Sequence, residues 1–213
     1  MINLHCHSLL SDGELLPSEI AVRYQSAGYK LIAITDHVDF SNIDSCLEAL
    51  IKFTKKWPKE SGIEILAGIE LTHLPPEQFK TLANRGRKKG AQIIVAHGQT
   101  PVEPVIKGTN RAALLSDIDI LAHPGMITEE EAIIAREKGI FLEITSRRGH
   151  KETNAHVASI AKKTGAPLVL NTDSHAPVDI ITPEQLKQVG LDAGLSQKDI
   201  EEMYKTLGTF LSR

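Results

Sequence analysis

Residues 118–131 read Ile118-Asp119-Ile120-Leu121-Ala122-His123-Pro124-Gly125-Met126-Ile127-Thr128-Glu129-Glu130-Glu131. A short apolar run rich in branched side chains ends in a histidine and breaks at Pro-Gly. The chain restarts at Thr128, whose spacing to Glu131 is that of a capping box opening a helix. This is one strand followed by one helix. Outward from it, similar apolar runs recur at intervals of roughly 25 to 30 residues, each followed by a polar turn and a helix-like stretch. They are Ile2 to Cys6, Leu31 to Thr35, Ile63 to Ile69, Gln92 to Ala96, Phe141 to Ile144 and Leu168 to Asn171.

Near-continuous hydrophobicity suits parallel strands buried on both faces, so the expected class is α/β. Seven such units in 213 residues favour a closed barrel, with an open doubly wound sheet as the alternative. Thr182, Pro183 and Gln185 mark a second capping box. Ile200, Met203, Tyr204, Leu207, Phe210 and Leu211 share one helical face after Ser196 and predict an outer helix. Gly98 to Asn110, broken by Pro101, Pro104 and Gly108, predicts a long βα loop. Arg85, Arg87, Lys88 and Lys89 fall at a predicted helix C-terminus, where cations suit the macrodipole. No repeat or low-complexity segment interrupts the pattern, and one domain over residues 1–213 is expected.

Composition narrows the function. Hydrophobic residues make up 41%, charged 24% and aromatic only 4%, with a formal net charge of -3. This is an ordinary globular balance without the basic field and stacking aromatics of a long nucleic-acid track. Two cysteines, Cys6 and Cys46, cannot build a disulfide framework. Met1-Ile2-Asn3-Leu4 reads as a strand and not a signal peptide, and no apolar run approaches the roughly 18 residues of a membrane span. A cytoplasmic protein is expected.

The anomaly is nine histidines and where they fall. In a strand, positions i and i+2 share a face, so His5 and His7 point together while Cys6 points to the helices as a small apolar filler. Asp173 and His175 repeat that spacing after the last strand. Between them His37, Glu70, His97 and His123 each follow a strand, and Asp12 lies in the loop after the first. If the strands are parallel, all nine converge on the C-terminal mouth of the barrel. Packing so many ionisable groups together without a cation would cost several kcal/mol per unpaired charge. The set therefore predicts metal binding, and imidazole with carboxylate fits Zn, Mn or Fe.

These residues resemble the polymerase-and-histidinol-phosphatase (PHP) superfamily. The motifs are His5-Cys6-His7 with Ser11-Asp12-Gly13, Thr35-Asp36-His37, Gly68-Ile69-Glu70, Ala96-His97, Ala122-His123-Pro124 and Thr172-Asp173-Ser174-His175. The resemblance implies a distorted (β/α)7 barrel and three divalent ions. It implies that His5, His7, Glu70 and Asp173 hold one ion and that Glu70, His97 and His123 hold a second. Asp12, His37 and His175 would hold the third. It is closest to the compact stand-alone histidinol-phosphatase type, although the chain is shorter than many such members.

The expected reaction is hydrolysis of a phosphomonoester, histidinol-phosphate-like or a nucleotide, by in-line attack of a metal-bridging hydroxide. Glu70, Asp173 and Arg148 are the expected catalytic residues. Arg147 and Arg148 are candidate phosphate donors, with Arg148 preferred, and His150 could protonate the leaving group. Asp36 and Glu143 are expected behind the ligands, and His73 and His156 are expected to be structural or at the surface. Lys107 and Arg111 either read a second anionic group or face solvent. The expected partner is a small phosphorylated substrate, with no membrane and nucleic acid only as a nucleotide or short oligonucleotide.

Three other readings compete. A 3'-5' exonuclease or phosphodiesterase would need short substrates. An amidohydrolase-like C–N hydrolase also starts with His-x-His, but its bridging group is usually a lysine, and here the candidate is Glu70. A non-catalytic metal-stabilised module would use a closed four-coordinate cage, unlike a shared, open site.

Overall fold

The structure, a computed structural model, describes residues 1–212. In chain order it runs β1 (Ile2–Asn3), α1 (Pro17–Ala27), β2 (Leu31–Ile34), β3 (His37–Val38), α2 (Ile43–Lys56), β4 (Glu64–Leu71), α3 (Phe79–Lys89) and β5 (Ile93–His97). It continues with α4 (Thr109–Leu114), β6 (Ile120–Ala122), α5 (Glu129–Lys138), β7 (Phe141–Thr145), α6 (Asn154–Thr164), β8 (Leu168–Asn171), α7 (Pro183–Asp192) and α8 (Gln197–Leu211). All seven expected strands form. They pair in parallel in the order β1, β2, β4, β5, β6, β7, β8. The short β3 prolongs β2 along β4 in the same register, Ile34 facing Ala67 and His37 facing Glu70.

The barrel closes unevenly. Its seam carries a single parallel bridge, Cys6 to Ser174, with His7 N donating to Ser174 O at 2.9 Å and Asp173 N to His5 O at 3.0 Å. Below that bridge two asparagine side chains replace the ladder. Asn171 Oδ1 accepts from Leu4 N at 2.8 Å and Asn3 Oδ1 accepts from Thr172 N at 2.7 Å. Buried backbone donors need partners, and these side chains supply them where the strands splay. β1 thus ends at Asn3 and not at Cys6 as expected.

Two cores follow from strand alternation. Ile32, Ile34, Ile69, Ile94, Leu121, Leu142 and Leu170 face the helices. Ala33, Leu66, Ile93, Val95, Ile120, Ala122, Phe141 and Val169 fill the barrel interior. Cys6 lies on the helix side, fully buried, as expected. Both capping boxes form, Thr128 with Glu131 and Thr182 with Gln185.

The C-terminal helix corrects an expectation. Leu207 of α8 joins the interior cluster, with Tyr204, Phe210 and Leu211 packed against it. The Phe210 ring meets Phe141, the first residue of β7, at 5.3 Å in an edge-on contact. α8 therefore closes the N-terminal end of the barrel, while Ile200 and Met203 reach the helix-side core. Without this cover the interior cluster, with Leu66, Phe141 and Val169, would lie open to water at that end.

Candidate metal centre

The C-terminal ends of the strands surround a cavity of ≈ 410 Å³. His5 and His7 leave β1 through the seam. The turn after them folds under itself, with Gly13 N donating to Ser8 O at 3.0 Å. A Cβ at Gly13 would lie 2.3 Å from His7 O, so the turn that carries Asp12 requires glycine. Asp36, fully buried, pins this turn from outside by accepting from Ser8 N, Ser8 Oγ and Ser11 Oγ, each at 2.7 Å.

Four imidazoles share one arrangement. His5 Nδ1 lies 2.8 Å from Glu143 Oε1, and His37 Nδ1 lies 2.6 Å from Thr72 Oγ1. His97 Nδ1 lies 3.1 Å from Gly98 O, and His175 Nδ1 lies 3.1 Å from Asp173 O. Carbonyls and carboxylates only accept, and the Thr72 hydroxyl donates to Glu70 O at 3.2 Å, so in each neutral imidazole Nδ1 carries the proton and Nε2 presents its lone pair to the cavity. That is the pattern of imidazoles poised to ligate.

The Nε2 atoms meet carboxylates. His5 Nε2 and His7 Nε2 are 3.0 Å apart. Glu70 Oε2 is 3.4 and 3.5 Å from them, and Asp173 Oδ1 is 3.5 and 3.2 Å from them. Ligands about 2.1 Å from one tetrahedral ion stand about 3.4 Å apart, so His5, His7 and Glu70 have the spacing of a cation cage, and Asp173 groups beside them with His5 and His123. Asp12 Oδ1 lies 3.6 Å from His37 Nε2 and 3.4 Å from His175 Nε2, whose own separation is 3.5 Å. That is a second cage with the same edges. His7 stacks on both of its rings at 4.1 Å and joins the two groups.

The donor set carries a further signature. Both carboxylate oxygens of Glu70 are buried with no hydrogen-bond donor, as are His7 Nδ1 and His123 Nδ1. His37 Nδ1 is 2.8 Å from Glu70 Oε2, but its proton is directed to Thr72. A buried carboxylate without donors is costly unless a cation lies against it, and the residues present fit divalent metal.

The charges respond accordingly. Burial opposes protonation of His5, but Glu143, Asp173 and Glu70 outweigh it and hold the imidazole well above its usual range. His37, partly buried yet beside Glu70 and Asp12, is pushed up to about 9. Burial and the neighbouring imidazoles hold His7 and His123 well below the usual range. Burial raises Asp173, whereas His5 and His37 overcome burial at Glu70 and hold it well below the carboxylate range. Asp173 and His123 also sit at positive φ, 51° and 28°, a region that costs a non-glycine residue on the order of 1 kcal/mol or more.

The expected group of Glu70, His97 and His123 is only partly assembled. His123 Nε2 is 3.8 Å from Glu70 Oε1 and 3.5 Å from Asp173 Oδ2. The His97 ring is 4.4 Å from His123, but His97 Nε2 turns to Glu103 Oε2 at 2.9 Å. Glu103 belongs to the long loop after β5. Sequence reasoning does not find it, because a carboxylate among prolines carries no periodic or spacing signal. His73, expected to be structural or at the surface, is half-exposed but lines the cavity at φ 51°.

The remaining expectations divide. His150 is buried and lines the cavity, with Nδ1 2.9 Å from Thr100 Oγ1 and Nε2 3.3 Å from Glu103 Oε1. His156 is structural, its Nε2 2.8 Å from Ile127 O. Arg148, the preferred phosphate donor, is exposed and does not line the cavity; adjacent side chains diverge, and Arg147 is the one turned inward. Arg147 Nη1 donates to Asp179 Oδ2 at 2.9 Å, and that oxygen also accepts from His175 N and Ala176 N. Lys107 and Arg111 are exposed, outside the cavity lining. Glu143 stands behind the ligands, holding His5, Asn171 Nδ2 and His123 N. Among the described residues, no helix is long and apolar enough to cross a membrane.

The chain is 47% identical over 204 residues to the uncharacterized protein MJ1295 of Methanocaldococcus jannaschii, covering 93% of this chain and 92% of that protein. It is 26% identical over 217 residues to a probable phosphatase of Thermoanaerobacter sp. (strain X514), covering 92% and 88%. The crystal structure of a Xaa-Pro dipeptidase with bound methionine superposes with a TM-score of 0.57 at 12% identity, over 97% of this chain and 74% of that one, a likeness of fold. The PHP domain model matches residues 3–166, and β8 beyond the match brings Asp173 and His175 to the same cavity. The chain belongs to the PHP domain family.

Proposed function

We propose that the protein is a metal-dependent phosphoesterase acting on a small phosphomonoester at this cavity. The observation that carries the reading is the set of Nδ1-anchored imidazoles whose Nε2 atoms surround the donorless carboxylate of Glu70. His5, His7, Glu70 and Asp173 would hold one divalent ion, and Asp12, His37 and His175 another. His123 and His97 would serve a third. Bound divalent ions would neutralise phosphoryl charge and acidify a water for in-line attack.

The chain's own groups do the rest. Arg147, held against Asp179, offers its remaining N–H donors to phosphate oxygens from the cavity wall. His150, buried at the mouth, is the group placed to return a proton to the departing alcohol oxygen. Glu70 and Asp173 would supply the negative charge that balances the bound ions. No lysine is among the residues lining the cavity, which weakens the C–N hydrolase reading, whose bridging group is usually lysine.

The test is inorganic phosphate release from histidinol phosphate, mononucleotides and sugar phosphates with Mn2+ or Zn2+, beside a Glu70→Gln control. Selective release that the control abolishes is expected, with inversion at phosphorus. Silence across the panel with metal verified as bound, or retention of configuration, would overturn the proposal.

A further inference from the structure

We infer that Glu103 and His73 complete the coordination of the ion that His97 and His123 would serve, adding one carboxylate and one imidazole to it at the cavity mouth. The inference rests on the metal reading above and adds two ligands to it. His97 Nε2 is 2.9 Å from Glu103 Oε2, and His73 Nε2 is 3.4 Å from the same oxygen. The three ligand atoms lie within 4.8 Å of one another, as do those of His5, His7 and Glu70 and those of His7, Asp12, His37 and His175. Edges of about 3.0 Å suit octahedral and about 3.4 Å tetrahedral ligands placed about 2.1 Å from an ion.

Tautomer geometry strengthens the point. His97 donates its Nδ1–H to Gly98 O, so neutral His97 turns an Nε2 lone pair toward the carboxylate of Glu103. Two acceptors facing each other at that distance repel unless a proton on Nε2 or a metal cation lies between them, and a divalent ion would serve both groups at once. Glu103 is not a stray surface carboxylate. Its Oε1 is 3.3 Å from His150 Nε2, and His150 is itself tied to Thr100 Oγ1, which leaves Oε2 for His97 and His73. The loop is anchored at its base. Asn110 Oδ1 accepts from Gln99 N at 2.8 Å, Asn110 Nδ2 donates to Pro124 O at 2.8 Å, and Gln99 Oε1 accepts from Gly108 N and Asn110 N at 3.2 Å.

The consequence is chemical. A carboxylate on this ion reduces its net charge, and it places an anion beside the leaving-group side of the cavity. The experiment is metal content by elemental analysis and Mn2+ titration by calorimetry, on the full chain and on Glu103→Gln, His73→Asn and His97→Ala. Asparagine at position 73 tolerates the positive φ, so His73→Asn removes the ligand without adding strain. Thermal unfolding of the metal-free variants separates a folding defect from lost affinity.

Glu103→Gln and His73→Asn are each expected to weaken the same Mn2+ step that His97→Ala abolishes, by about 10-fold or more, with metal-free unfolding unchanged. If His97→Ala loses an ion while the other two bind Mn2+ as the parent does, the inference is overturned and the metal reading stands. If none of the three, nor Glu70→Gln, alters Mn2+ binding, both are overturned.

Discussion

Glu143 Oε1 receives the Nδ1 proton of His5 at 2.8 Å, and both side chains are fully buried. The carboxylate thereby fixes which imidazole nitrogen faces the cavity and raises its basicity. Glu143 sits on β7 and His5 on the seam, so one contact orients a ligand from the far side of the barrel closure. Glu143→Gln keeps an acceptor but removes the charge. It is expected to lower divalent-metal affinity by about 10-fold with little loss of secondary structure. Calorimetric titration beside circular dichroism checks this, and parental affinity would contradict the orienting role.

Metal uptake should release protons. In the metal-free protein His37 is pushed up to about 9 from 6.5, since Glu70 and Asp12 outweigh its burial. A raised pKa means the folded state holds the proton more tightly than the unfolded chain. The stability gained is full below about 6.5 and lost as pH rises through about 9. A cation must displace that proton, so apparent affinity should climb with pH across the same window while metal-free thermal stability falls. Titrations at pH 7 in buffers of different ionisation enthalpy should reveal released protons, and identical heats would refute the coupling.

Arg147 and Arg148 should differ. Arg147 lines the cavity and Arg148 faces solvent. Arg147→Ala is expected to raise KM at least about 10-fold, because a charge-assisted bond to phosphate is worth roughly 1.5–3 kcal/mol. Arg148→Ala should leave KM near the parent value. Steady-state phosphate release on the preferred substrate decides it, with the reverse result removing Arg147 from the phosphate site.

Leu207 tests the barrel plug. Its side chain is fully buried in the interior cluster beneath the strands. Leu207→Ala is expected to destabilise the protein by about 2–5 kcal/mol, the usual range for a core leucine. Leu115→Ala, at a side chain 53% exposed, should change stability by less than about 0.5 kcal/mol. Denaturant unfolding of both, at fixed metal, compares them directly.

Much of this protein is legible in the residue order. Strand and helix alternate because apolar runs such as Ile93 to Ala96 can be buried only on both faces, and the Thr128 and Thr182 boxes mark where helices begin. The nine candidate ligands are legible for the same reason: they lie at or beyond the C-terminal ends of strands, and parallel strands send all such ends to one mouth. Tertiary structure alone decided the rest. Glu103 reaches His97 because Gln99 and Asn110 fold its loop over the cavity. Arg147 turns inward because Asp179, distant in sequence, takes its guanidinium. The periodicity of α8 gives it an apolar face without saying which surface that face will cover; Leu207 joins Leu66, Phe141 and Val169 because the open N-terminal end of the barrel would otherwise leave that cluster against water. Periodic burial is written locally in the chain, whereas contacts made by loops and by the far ends of helices depend on where distant segments come to rest.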